Sequence, residues 1–277
     1  YWFTTAREVE QGAAAVPDRI ALIDDTGVLT YRQLRDDSRG LAKWLLSLKE
    51  ERDLDGLRIG VMARNGRGII LPLAAKGYAG ADIFLLNIGS SPEQLAGIFA
   101  ENDINVLFID DEFADRLPDT AGITVVRAHE DGGRGLALAE VVRRDADRQL
   151  PRWPKHGNLV LMSSGTTGIP KGIVRPEPRL PFVVAGYLEA IPWRAGDTVQ
   201  LTASIFHTWG WSALQVALAT RSTIVTRRVF DAQACLQQIE TYRCDGLISS
   251  PIFFKQMLDV EDTYDTSSLR SVSYTHL

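Results

Sequence analysis

Residues 158–173 read NLVLMSSGTTGIPKGI, an apolar run followed by Ser163-Ser164-Gly165-Thr166-Thr167-Gly168 and then Pro170-Lys171-Gly172. The Ser, Thr and Gly cluster has almost nothing to bury. What it offers is backbone N–H groups, hydroxyls and the Lys171 ammonium. Glycine lets a backbone approach a ligand closely, and converging N–H donors beside a positive charge suit an anion such as phosphate. Two familiar nucleotide patterns do not fit. In G-x-x-x-x-G-K-[ST] counted from Gly165, Pro170 stands at the second glycine position and Gly172 at the hydroxyl position. The dinucleotide pattern G-x-G-x-x-G fails as well. On residue types alone, a solvated connecting loop chosen for its turn geometry stays open beside the anion cradle.

A second constellation, Phe206-His207-Thr208-Trp209-Gly210-Trp211, sets a histidine among aromatics between an expected strand and an expected helix. Such a histidine is either a packed, hydrogen-bonded residue or a polar group facing a dry concavity. Trp209 and Trp211 read equally as core aromatics or as lining, and Gly210 would leave room beside the rings. Other chemistries are disfavoured. The histidines at 129, 156, 207 and 276 are scattered, and Cys235 and Cys244 lack a metal-ligand spacing. Two cysteines in all suggest no disulfide framework and a reducing, cytoplasmic setting. A net charge of −5 without a Lys/Arg cluster argues against general nucleic-acid binding. No apolar run reaches the roughly 18–20 residues of a membrane span. The opening YWFTTAREVEQGAAAV has neither a signal-peptide pattern nor an initiating Met, so the coding region is expected to begin upstream.

The positioning elements can be read in outline. With 277 residues and 45% hydrophobic content, the chain can form one large domain or two ordinary ones. Thr30 and Gln33 make a capping box, and Tyr31, Leu34, Leu41, Leu45 and Leu48 give a helix over 31–48. Residues 57–62 read as a buried strand, 67–79 as a helix and 82–86 as a strand. Ser91-Pro92-Glu93-Gln94 starts a helix that buries Leu95, Ile98 and Phe99, and 106–109 is a further strand. Residues 128–157 look linker-like. Strands near 158–163, 198–203, 222–227 and 245–249 then alternate with helices near 179–190, 209–219, 231–242 and 252–259. Cys235 on its helix and Cys244 at a strand start read as small core residues. This βα rhythm predicts an α/β fold of mostly parallel sheets flanked by helices.

SSGTTGIPKG resembles, nearly letter for letter, the phosphate-binding motif of the AMP-forming adenylating enzymes: acyl-CoA synthetases, peptide-synthetase adenylation domains and luciferases. Leu29-Thr30-Tyr31-Arg32-Gln33-Leu34 and Ala79–Asn87 resemble two earlier family segments in the right order. The resemblance runs to about Val272. It implies the large N-terminal domain of the adenylate-forming fold over 1–272, with subdomain-like halves of about 1–150 and 151–272, incomplete at the C-terminus. The implied reaction joins a carboxylate to the α-phosphorus of ATP, releasing pyrophosphate, and a thiol, usually of coenzyme A, then displaces AMP. By the same resemblance Ser163, Ser164, Gly165, Thr166, Thr167, Gly168 and Lys171 contact phosphate. His207, Trp209, Gly210 and Trp211 wall the acyl pocket. His207 would orient the carboxylate or gate the thiol, since a carboxylate needs no base at pH 7. Arg227-Arg228-Val229-Phe230-Asp231 and the strand ending near Pro251 look closest to acyl-CoA synthetases, with a medium- or long-chain fatty acid as the expected substrate.

Departures accompany the likeness. Where the family commonly places Ser/Thr-His after PKG and two apolar residues, Arg175-Pro176 stands, and Arg175 reads either as a phosphate contact or, preferred, as a solvated residue before a turn. The adenine-binding segment, the Mg²⁺-binding Glu, the ribose Asp, the hinge and the C-terminal lid domain with its lysine do not occur in this sequence. The fragment itself is therefore expected to be inactive, with Mg²⁺ held mainly by residues of the missing region. Residues 273–277 are expected to be a non-native tail, because GTC TCT TAT ACA CAT CT encodes VSYTHL and spells a transposon-end adapter of sequencing libraries. A genomic locus encoding the same residues would overturn that expectation. The alternatives are an adenylation domain for aryl or amino acids, or a non-catalytic nucleotide-binding fragment. The absence of an acid in FHTWGW disfavours the amino-acid option. Small-molecule acid, ATP and CoA are the expected partners, with peripheral membrane contact open and oligomeric state unread.

Overall fold

The computed structural model describes residues 4–129, 135–162, 168, 170–177 and 182–274. In chain order the elements begin with α1 (Thr5–Ala15), β1 (Ile20–Asp24), β2 (Gly27–Thr30), α2 (Tyr31–Glu51), β3 (Arg58–Met62), α3 (Arg67–Ala79) and β4 (Asp82–Leu85). There follow α4 (Pro92–Glu101), β5 (Val106–Asp110), a 3₁₀ turn (Asp111–Arg116), β6 (Thr124–His129), α5 (Leu138–Arg144), β7 (Leu159–Met162) and β8 (Gly172–Arg175). The last third holds α6 (Phe182–Ala190), β9 (Thr198–Leu201), α7 (Thr208–Ala219), β10 (Thr223–Val225), α8 (Ala232–Tyr242), β11 (Gly246–Ser249), α9 (Pro251–Leu258) and β12 (Ser271–Tyr274). Two sheets of six strands result, each mainly parallel and each with one antiparallel pair. The expected α/β class is the observed one.

The chain forms two compact units. One comprises Arg35–Glu177 with Trp2–Arg7, the other Glu8–Leu34 with Pro178–Leu277. In the first, the strand order is β6-β5-β3-β4-β7-β8. Its inner strands β5, β3, β4 and β7 are buried along nearly their whole length and read as continuous apolar runs, as parallel strands do, whereas the edge strands β6 and β8 are more open. Met62, Phe84, Leu107 and Val160 from the strands pack with Leu95, Ile98 and Phe99 of α4. Full burial of each such side chain stabilises by about 1.5–3 kcal/mol. The capping box that starts α4 is complete: Ser91 N donates to Gln94 Oε1 at 3.0 Å, and Gln94 N donates to Ser91 Oγ at 3.2 Å.

In the other unit the order is β12-β11-β9-β10-β1-β2. Its α8 starts where Asp231 accepts from Ala234 N at 2.7 Å, and its α9 where Ser250 Oγ accepts from Phe253 N at 3.4 Å. Cys235, Ile239, Cys244 and Leu247 form its apolar centre with Val225 and Met257. Burial raises the Cys235 thiol to about 11 and the Cys244 thiol to about 12, so both stay protonated core residues. The capping box of α2 also forms, with Thr30 N donating to Gln33 Oε1 at 2.9 Å and Gln33 N to Thr30 Oγ1 at 3.2 Å.

The stretch between β6 and β7 differs from the sequence expectation for a physical reason. Residues 128–157 are not simply a linker: β6 ends in it and α5 lies within it, burying Leu138 and Val141. One helix of that length carries too few apolar positions to show a period. The chain passes between the two units at 7/8, 34/35 and 177/178. β7 pairs with β4, which keeps 159–175 with the earlier strands, and β1 pairs with β10. Ser273 and Tyr274 belong to β12, in parallel register with Ile248 and Ser249. Residues 275–277, His276 included, lie outside the described residues.

Candidate active site

β7 is buried at all four positions and is held on one side by β4. On its other side β8 runs antiparallel, with Met162 opposite Gly172. The connection 163–171 therefore leaves and re-enters the sheet at facing positions. A Cβ at Gly172 would lie 2.6 Å from Val160 Cγ1, so the strand needs glycine there. Gly168 is exposed with φ +104°, a left-handed conformation in which glycine is unstrained. Its carbonyl accepts from Gln94 Nε2 at 3.5 Å, so the side chain that caps α4 also reaches the loop. Lys171 is exposed at the foot of β8. Ser163, Ser164, Gly165, Thr166 and Thr167 lie outside the described residues. Arg175, expected to be solvated, is half-buried at the end of β8 opposite Leu159.

The aromatic segment belongs to the unit that contains β9. β9 ends at Leu201, and α7 begins at Thr208 with His207 as its N-cap. The His207 side chain makes no capping bond and stands exposed, its ring 4.3 Å from that of Phe206. Desolvation lowers its pKa from the ordinary histidine value, which favours the neutral imidazole. Trp209 donates from Nε1 to the Ser249 carbonyl at 3.1 Å and stacks on Tyr187 with ring centroids 5.7 Å apart. Tyr187 in turn hydrogen-bonds Ser212, and burial raises its pKa. Gly210 serves close packing rather than spare room: a Cβ there would sit 2.2 Å from the Ser204 carbonyl oxygen. Trp211 is half-buried, and its Nε1 is buried without a hydrogen-bond partner among the described residues.

The structure thus gathers His207, Trp209, Gly210 and Trp211 at one helix start, and sets Gly168 and Lys171 on one hairpin. Gln94, Tyr187 and Ser249 were not singled out by the sequence. Gln94 had a signal only as a cap. Tyr187 and Ser249 had none, since their contacts with Trp209 join residues far apart in the chain. Among the described residues no group of three or more His, Cys, Asp or Glu side chains is placed to hold a metal. No helix among them is long and apolar enough to cross a membrane.

Comparison with known proteins agrees with this layout. A CoA ligase of Rhodococcus jostii, named for a methyl-dioxo-octahydroindenyl propanoyl group, is 28% identical over 96% of this chain and 56% of its own. A medium/long-chain-fatty-acid and 3-oxocholest-4-en-26-oate CoA ligase of Mycobacterium tuberculosis is 28% identical over 60% of this chain and 32% of its own. The chain thus spans about half, or less, of the length of these curated relatives. The fold is shared with a long-chain-fatty-acid CoA ligase structure from Rhodopseudomonas palustris, at TM-score 0.80 and 18% identity, over 100% of this chain and 70% of that one. The model of the AMP-binding enzyme family matches residues 9–275, nearly the whole sequence, including both the glycine-rich hairpin and the aromatic helix start. By that match, the chain belongs to the AMP-binding enzyme family.

Proposed function

We propose that the full-length protein is an acid–thiol ligase. It activates a carboxylic acid with ATP to an acyl adenylate, releases pyrophosphate, and passes the acyl group to coenzyme A with release of AMP. The observation that carries this reading is SSGTTGIPKG spanning two paired strand ends within a chain that matches the AMP-binding family. Carboxylate and triphosphate repel each other, and donors fixed in advance offset that repulsion and stabilise the departing pyrophosphate. In the proposal Ser163, Ser164, Gly165, Thr166, Thr167 and Gly168 supply those donors, and Lys171 supplies the charge. By the family resemblance, the main protein ligand of Mg²⁺ is expected outside this sequence.

At the aromatic segment the lowered His207 pKa supports a neutral imidazole that orients the carboxylate or gates the thiol by hydrogen bonding. Trp209, held by Ser249 and Tyr187, supplies a rigid apolar wall. Burial of each substrate CH₂ is worth about 0.8 kcal/mol, so such a wall would reward chain length, and a medium- or long-chain fatty acid is the acid proposed. A second reading is favoured by one observation, the unpartnered Nε1 of Trp211. A buried donor without a partner costs about 1–3 kcal/mol, which an acyl tail carrying a carbonyl would relieve. The dioxo-indenyl group in the name of the Rhodococcus jostii relative has that chemistry.

Carboxylate-dependent exchange of labelled pyrophosphate into ATP by the full-length protein tests the proposal. Saturated fatty acids and keto-bearing polycyclic propanoates should be run side by side. Exchange with neither class, nor with any other carboxylic acid, would defeat the ligase reading. Preference between the classes selects the substrate, and Trp211→Phe should reduce exchange only with keto-bearing acids.

A further inference from the structure

A buried ion pair stands at the base of the hairpin that carries the loop. Lys76, in the last turn of α3, meets Glu177, two residues beyond β8, and their side chains are 2% and 3% exposed. His156, three residues before β7, places Nε2 3.7 Å from Glu177 Oε2. The strand leading into the hairpin is anchored at the same corner. Asn158 N donates to Asp82 Oδ1 at 2.6 Å, and a Cβ at Gly157 would lie 1.8 Å from the Ala81 carbonyl oxygen.

Burying two charges is expensive, and apolar residues of similar volume usually stabilise as well or better. A buried pair therefore calls for a role other than net stability, of which register is the best attested. β8 needs such help. Ile173 and Val174 are 47% and 56% exposed, so no buried face fixes how β8 pairs with β7. A strand without a buried face is prone to slip, and one step moves it about 3.4 Å and turns each side chain over. Lys171 immediately precedes β8 and would be displaced with it.

We propose that the Lys76–Glu177 pair is a register pin for β8, positioning Lys171 against nucleotide phosphate, a role that rests on the ligase reading. Both residues are positioning residues, since they sit at the hairpin's base and not at its tip.

The test uses the full-length protein with Lys76→Met/Glu177→Met, and Glu177→Gln as a milder change should the apolar pair not fold. The apolar pair is expected to melt at or above the wild-type temperature yet raise the KM for ATP about tenfold or more. The KM for the acid should stay within about twofold. Recovery of both stability and ATP KM would reduce the pair to a dispensable stabilising contact and overturn the proposal. A second readout needs no activity. Cysteines introduced as Val160→Cys and Val174→Cys face each other only in the observed register. Their cross-linking yield should be high with the ion pair intact and fall in both charge variants. Equal yields in all backgrounds would overturn the pin. Absence of carboxylate-dependent exchange in the wild type would defeat the ligase reading, while the cross-link would still decide the register.

Discussion

The hairpin β7–β8 and the aromatic segment 203–212 solve opposite problems. β8 is exposed at three of its four positions, and its neighbouring loop is rich in hydroxyls and glycine. The loop's residue types carry little apolar surface to bury, so their chemistry can be removed while the sheet persists. At the aromatic segment, the residues proposed to meet the acyl group also hold the unit together. Gly210 lets α7 approach the Ser204 backbone, Trp209 ties α7 to the end of β11, and Phe206 is buried beside His207. Function and fold are separable in the first region and fused in the second. Substitutions should therefore report activity in one and stability in the other.

The largest effect is expected at the loop. Thr166→Ala/Thr167→Ala, or Lys171→Ala, should lower pyrophosphate exchange of the full-length protein about a hundredfold or more, as loss of preorganised donors does. For Lys171→Ala, at an exposed position, stability should change by no more than about 0.5 kcal/mol, the usual range for surface positions. Exchange kinetics and urea unfolding, measured on the same preparations, would break the comparison if stability fell in step with activity.

The next effects belong to the aromatic segment. Gly210→Ala drives a methyl group to within 2.2 Å of the Ser204 carbonyl oxygen, and backbone on both sides leaves no flexible chain to yield. Overpacking of this kind costs about 1–3 kcal/mol, read as a lower melting temperature with unchanged ATP KM. Trp209→Phe keeps an aromatic ring against Tyr187 but removes the donor to Ser249 O. The loss of one such hydrogen bond should cost about 0.5–1.5 kcal/mol in urea unfolding. A Trp209→Phe protein as stable as wild type, with weakened acid binding, would show the ring to be functional first.

Which parts were legible follows from the range of the interactions involved. The caps at Thr30 and Ser91 are written within four residues, and each forms its bond. β1 pairs with β10 through Leu22 and Ile224, some two hundred residues apart, and nothing near Leu22 announces that partner. β8 escaped notice because its exposed Ile173 and Val174 follow neither strand alternation nor a buried run. The site divides in the same way. The letters of SSGTTGIPKG and FHTWGW stand out in the sequence, whereas Tyr187 and Ser249 become visible only through their contacts with Trp209. The reason for Gly210 was legible as space and proved to be contact, because a glycine's neighbours are not encoded beside it.

The smallest expected effect is a pH dependence that uses the fused character of the aromatic segment. Desolvation holds the folded-state pKa of His207 below its ordinary value of 6.5. Between those two values the unfolded chain binds more protons than the folded one, so stability rises with pH across that window. The contribution is present above pH 6.5 and is lost as pH falls through the folded-state value. His156, its pKa lowered by desolvation and by Lys76, adds a dependence of the same sign. Melting curves from pH 8 to pH 5 should therefore decline toward acid, and His207→Asn should flatten part of that decline while His156 retains its share. Because His207 stands exposed, solvent screening keeps its share modest. A decline in His207→Asn as steep as in the wild type would show that the imidazole gains no proton-linked coupling from its place beside Phe206. It would then titrate as a surface group, free of the packing that governs its neighbours.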